Sequence, residues 1–408
     1  MNSNHLFKLA LGIEEPWEIT GINLKKSGST QELHIDIGFK RSSKFTDGSG
    51  ALCEVYDTRE KTWRHLNFFQ HTCYLHCRVP RIKTKAGKVK LVEVPWSRQG
   101  CGFTYLFESY VMALIESEMP INKAGKLVNE DPHRLWTIFN YWIEGAYVAD
   151  EIGDFKKLGI DETSRRKGHD YVTVAVDLDE HRVIHVTEGK DKSAVKAVKI
   201  YLVSKGVDAK AVKHASMDMS PSFISGVDTY FPEAEIHFDR FHVVKLLNKA
   251  MDKVRQGERK EHEQLKGHKY TFLKNKDKLS DKRKQQLSEL ITLFPTLGKA
   301  YRLKELFNDL WEMETEEEAT AFLVEWCKEV DDEGIEPFKK FAKTIKAHWT
   351  GIVNFCETEI NNGILEGINN KIQLAKRRAR GFRFSKNFIN MIYFLCAKLK
   401  FDYPLNSS

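Results

Sequence analysis

The chain has 408 residues, 41% of them hydrophobic and 30% charged, with a formal net charge of +7. That length exceeds one ordinary core and calls for two to four domains, and no apolar run approaches the ~20 residues of a membrane span. The N-terminal MNSNHLFKLALGIEEPWEI lacks the basic lead-in and cleavage site of a secretory leader. Seven cysteines, at 53, 73, 77, 101, 327, 356 and 396, show no disulfide-framework spacing, so a reducing cytoplasm and no membrane partner are expected. Cations cluster in 253–284 and 376–383, while 312–334 is acidic. Basic tracts of this kind suit a polyanionic partner, although a charged run is more often a solvated face.

Residues 17–96 alternate in the manner of strands: Glu32–Phe39, then Trp63–Pro80, then Val89–Trp96 after a Lys85-Ala-Gly-Lys88 turn. This predicts a small β-rich domain over 1–102. Cys53, Cys73, Cys77 and Cys101 raise the question of zinc, but no C-x-x-C pair is present. Cys73, Leu75 and Cys77 share one strand face, which favours structural thiols.

From Phe103 the period becomes helical, with Tyr110, Leu114 and Ile115 on a first helix and Pro120–Val128 a second. Asp131 then reads as a helix cap with Pro132 in the first turn, followed by an apolar face of Leu135, Ile138, Phe139 and Trp142. Helices and a tight turn over 103–150 fit a helix-turn-helix presenting His133, Arg134 and Thr137 to DNA. Any three-helix packing would read alike.

The clearest α/β pattern lies in 151–257. A buried strand ends at Asp161. Strands Asp170–Asp177 and Arg182–Val186 meet at a turn over 178–181, and a helix follows over Asp191–Ser204. Strand Val212–Met217 ends at Asp218, a helix spans about Pro221–Tyr230, strand Glu235–Phe238 follows, and another helix starts at Arg240. Three meandering strands, then helix, strand, helix, strand, helix, is the order of a ribonuclease H-like mixed sheet. The charge-rich segment 258–345, with Trp311 and Trp326, predicts an all-helical insertion. The core then resumes over 346–408.

In Glu366–Phe382, helical spacing puts Glu366, Asn370, Gln373 and Arg377 on one face and Leu365, Ile368, Ile372, Ala375 and Ala379 on another. Lys376, Arg377, Arg378, Arg380 and Arg383 follow as candidate phosphate contacts. Alone, this stretch reads equally well as a solvated amphipathic helix with a basic end. Strand order, however, makes the Asp161 and Asp218 strands neighbours, so both carboxylates converge at one sheet edge and Glu366 closes the set. Three such acids suit one or two Mg²⁺ ions, with Mn²⁺ as a substitute. Two ions support an in-line attack on a phosphodiester by water, then by the freed 3′-hydroxyl. Each acid is also readable as a cap or ion-pair partner, Asp218 especially, ahead of Ser220. Asp239-Arg-Phe-His242 adds a second polar cluster, read as support rather than direct ligation.

At these residues the chain resembles a DDE transposase of a bacterial insertion sequence, most closely the ISL-three family. The carriers are Arg59-x-x-x-Trp-Arg-His-Leu66, Arg78-Val-Pro-Arg81 and Val94-Pro-Trp96 near the N-terminus. In the core they are Gly159-Ile-Asp-Glu162, Met217-Asp-Met-Ser220, Phe238-Asp-Arg-Phe-His-Val243, Asn362-Gly-x-x-Glu-Gly-x-Asn369, Lys371-Ile and Gly381-Phe-Arg383. The resemblance implies catalytic, metal-binding Asp161, Asp218 and Glu366. Asp239, His242, Asn369 and Asn370 stand as supporting candidates beside them. It also implies binding of terminal inverted repeats by the N-terminal domains, and two ends held together call for at least a homodimer on double-stranded DNA. Relatives commonly carry more zinc-type cysteines where this chain has Leu52-Cys-Glu and Lys83-Thr-Lys-Ala-Gly, which puts a structural zinc in doubt. The alternatives are a catalytically silent, transposase-derived DNA-binding protein and a nuclease that cuts without joining.

Overall fold

The computed structural model describes every residue except 1, 2, 29, 85, 86, 167, 169, 359–362 and 404–408. At 3, 27, 30 and 355–358 it describes the backbone alone. The start of the turn expected at Lys85, the motif residue Asn362 and the Cys356 side chain thus lie outside the described residues. Contacts divide the chain into two units, Met1–Val148 with Lys400–Ser408, and Ala149–Leu399. No helix among the described residues is long and apolar enough to cross a membrane.

In the first unit, strands Trp17–Ser27, Thr30–Phe39, His71–Lys83 and Val55–Phe68 lie side by side in that order, and Val89–Leu91 pairs with His71–Lys83. Alternation buries Cys73, Leu75 and Cys77 together with Ile35, Ile37, Trp63 and Trp96 in one core. The strand expected to run to Trp96 stops at Leu91. Pairing with Arg81–Lys83 ends there, and Trp96 instead packs edge-on against Trp17 and Trp63.

Three helices follow, Tyr105–Glu116, Ile121–Val128 and Pro132–Ala149. Asp131 caps the third through the His133 amide at 2.7 Å. The turn between the second and third needs Gly125, where a Cβ would come within 2.8 Å of the Glu130 carbonyl oxygen. Buried Glu108 organises the group by accepting from Arg98 Nε at 2.9 Å and Trp142 Nε1 at 2.9 Å. The Trp-Arg-His motif explains itself here. Arg64, 1% exposed, donates to the Val128 carbonyl at the end of the second helix, and His65 meets Thr104 at 2.9 Å. Those residues join the sheet to the helices, which is a structural duty.

The second unit holds a mixed sheet with strand order Arg182–Glu188, Asp170–Asp177, Lys157–Arg166, His214–Met217, Glu235–Phe238. The first three are antiparallel and the last two run parallel to Lys157–Arg166. Helices Lys192–Ser204 and Pro221–Tyr230 are the crossovers. Helix Arg240–Arg259 leads into a helical segment whose core stacks Phe307, Trp326 and Phe341 edge-on. Helices Trp349–Thr358, Gly363–Arg378 and Ser385–Cys396 close the unit. It is a ribonuclease H-like sheet with a helical insertion.

The strand carrying Asp161 does not end there, contrary to expectation. It continues to Arg166 because its antiparallel partner runs the whole way, pairing Asp161 with Val174 and Arg166 with Asp170. The parallel partner is shorter and pairs only 157–159 with 214–216. Continued by two residues, that register sets Asp218 opposite Asp161. The edge that matters is where the parallel ladder stops.

Candidate active site

Asp161 Oδ1 accepts the Glu162 amide at 2.7 Å, and its Oδ2 accepts the Asn369 side-chain amide. Asp218 leaves its strand directly, with Oδ1 accepting the Ser220 amide at 3.0 Å and Oδ2 3.8 Å from His242 Nδ1. Asp239 follows the next strand and caps the Arg240–Arg259 helix through the Phe241 amide at 2.7 Å. An open cavity of about 550 Å³ is lined by Asp161, Asp218, Ser220, His242, Lys245, Asn369 and Gln373, among others.

Burial pushes the Asp161 carboxyl up to about 6, helped by the nearby Asp218 charge and opposed by the Glu162 amide, His242 and Asn369. Asp239 is also raised, first by burial and then by the charges of Glu366 and Asp218. Four acids therefore share one field. Such a field favours a cation, and oxygen donors favour a hard one.

Glu366 lies in the first turn of Gly363–Arg378 and is exposed. Among the described residues its carboxylate does not close with those of Asp161 and Asp218 into a set within 4.8 Å. Like charges with no cation between them repel, and one turn of helix separates Glu366 from Asn369, which does reach Asp161. The helix face toward the sheet also differs from the expected one. Asn369, Gln373 and Lys376 run along the Asp161 strand, Gln373 donating to Thr163 at 2.9 Å and Lys376 to the Ser164 carbonyl at 2.5 Å. Asn370 and Arg377 are exposed instead. Of the two supporting amides, Asn369 is the one that reaches Asp161, and Lys376 is hydrogen-bonded to the Asp161 strand.

Arg377, Arg378, Arg380 and Arg383 are exposed. Their loop is anchored from the Asp161 strand, where buried Arg165 donates to the carbonyls of Phe382 at 3.3 Å and Arg383 at 2.6 Å. Sequence reasoning missed Arg165 and Thr163. The only available signal was polar residues interrupting a buried strand. In the first unit His133 and Arg134 are exposed, but Arg134 is already paired with Glu130 at 2.6 Å and lies over the Phe103 ring. One further group, His214, Glu235 and His237, has the donors to coordinate a metal ion.

A mixed five-stranded sheet with Asp161 and Asp218 where its parallel ladder stops, and a helical insertion before the last acidic helix, is a ribonuclease H-like architecture. A family model described as "Transposase" matches residues 158–392, and one described as "Helix-turn-helix domain of transposase family ISL3" matches 92–143. The transposase for insertion sequence element IS1001 of Bordetella parapertussis is 26% identical over 351 residues, 83% of this chain and 85% of that relative. The transposase for insertion sequence element IS1557 of Mycobacterium tuberculosis is 25% identical over 419 residues, 94% of this chain and 93% of the relative. The chain belongs to the ISL3 family of DDE transposases.

Proposed function

We propose that the protein binds the terminal inverted repeats of an insertion sequence and catalyses Mg²⁺-dependent strand cleavage and strand transfer. The single observation behind this reading is the pairing of Asp161 and Asp218. They belong to neighbouring parallel strands, Asp161 on one and Asp218 directly after the other, and they line one cavity, where burial and, to a lesser degree, the Asp218 charge raise Asp161 to about 6. Asp161, Asp218 and Glu366 are the residues that would hold Mg²⁺, and Mn²⁺ has the same oxygen preference. Magnesium, when bound, activates an attacking oxygen and stabilises the leaving oxygen of a phosphodiester. Asn369 orients Asp161, His242 stands beside Asp218, and Asp239 holds the start of the His242 helix. Arg377, Arg378, Arg380 and Arg383 supply cations for the DNA backbone, and the 1–102 and 103–150 segments, with His133 and Arg134, recognise the ends. Two ends require at least a homodimer.

Incubating purified protein with labelled element ends and Mg²⁺ tests the reading: nicked and joined products are expected. Tight end binding with no cleavage under any divalent cation would favour the catalytically silent alternative. Cleavage without joining would favour a simple nuclease.

A pH profile follows from Asp161. A proton competes with the cation for a carboxylate, so at fixed, sub-saturating Mg²⁺ cleavage should fall about tenfold per pH unit below about 6. A profile flat down to pH 5 would remove Asp161 from the metal site. Replacing Arg377 or Arg380 with alanine should weaken binding about equally on all DNA sequences. Each should also reduce the slope of log affinity against log salt by about 1. An unchanged slope would take that arginine out of the interface.

A further inference from the structure

We propose that His214, Glu235 and His237 form a second metal site, for a zinc-type divalent cation, separate from the acids after the parallel strands. Register brings them together. His214 and Glu235 are cross-strand partners in the parallel pair, and His237, two residues beyond Glu235, projects from the same sheet face. His214 Nδ1 is 3.1 Å from His237 Nε2 and 3.6 Å from Glu235 Oε2, and all three donors lie within 4.8 Å. A tetrahedral ion with bonds of about 2.0–2.1 Å spaces its ligands by roughly 3.3 Å, close to these separations.

The surroundings suit ligation as well. His237 is fully buried and donates to the main-chain carbonyl of Asn354, the outer-shell contact that fixes a metal-binding imidazole in one tautomer. The His214 and Glu235 side chains are 25% and 64% exposed, which opens a path for the ion and leaves a coordination position to water. Two imidazoles and one carboxylate favour zinc over magnesium, whose preference is for oxygen alone. The site also has a structural consequence. Asn354 belongs to helix Trp349–Thr358 and returns a bond to the Ile236 carbonyl at 3.3 Å. That helix sits so close that a Cβ at Gly351 would lie 2.5 Å from the Phe238 ring. An ion here fastens two strands beneath the helix that precedes the Glu366 helix.

Cobalt(II) titration of the full chain tests this, with Asp161→Asn and Asp218→Asn present to remove the oxygen ligands of the proposed magnesium site. Saturable uptake of one equivalent is expected, with the intense visible absorption of four-coordinate cobalt, displaced by zinc. His214→Gln and Glu235→Gln should each weaken uptake at least tenfold. These two side chains reach solvent, so the variants fold where His237→Ala risks opening a core void. Absent or only weak six-coordinate absorption, or uptake indifferent to both variants, would leave a plain hydrogen-bonded histidine pair and overturn the proposal. None of these readouts depends on DNA cleavage.

Discussion

Asparagine at Asp161 or Asp218 is expected to lower Mg²⁺-dependent cleavage of element ends by on the order of a thousandfold or more, with end binding largely intact. The substitution keeps side-chain size and an oxygen for the amides of Glu162 or Ser220, so the strand ends stay in place. What it removes is the charge that holds the cation. Glu366→Gln should behave alike. Stability offers the control. Because burial raises Asp161 above its unfolded value, its ionised form opposes folding above pH 6, and that penalty fades as pH falls toward 4. Asp161→Asn should therefore melt no lower than the parent at pH 8 without Mg²⁺. Normal strand transfer by any of the three variants would strike that residue from the catalytic set.

The second large effect is expected at Asn369. Its amide holds Asp161 Oδ2 and at the same time holds the Glu366 helix to the strand. Asn369→Ala should weaken Mg²⁺ use by about 10–100-fold, the range for losing a group that orients a metal ligand. Its signature separates positioning from general damage. The Asn369 bond lowers the Asp161 carboxyl, so losing it should move the acid limb of the pH profile upward from about 6. Asn369→Asp should be worse, since it sets a like charge against Asp161. A variant with the parent's magnesium dependence and pH profile would leave Asn369 without a role at the site.

Much of the second unit was legible in the chain. The turn at 178–181, the helix over 221–230 and the strand over 235–238 follow from local signals: a buried run, a cap, a proline at the first turn. Asp131 was readable as a cap for the same reason, whereas Asp191, expected as the first helical residue, turns out to cap the helix that starts at Lys192. Strand ends were harder. Lys157–Arg166 runs past Asp161 because its hairpin partner pairs with it along its whole length, and Val89–Leu91 ends where its partner reaches Pro80, which has no N–H to donate. Arg64 and Arg165 look like surface cations in a sequence, yet both are buried and bound to carbonyls of other elements. The histidine pair at 214 and 237 was invisible for a related reason. Only the parallel register brings 23 positions of separation down to 3.1 Å.

By itself, then, the sequence determined the order of strands and helices, the assignment of the two aspartates to neighbouring strands, and a basic helix bearing an acid. Periodicity and capping are properties of near neighbours in the chain. Only the tertiary structure decided which side of Gly363–Arg378 meets the sheet, and so that Asn369 rather than Asn370 reaches Asp161. One residue turns a helix by about 100°, and the choice among polar faces is made by what the strand offers them.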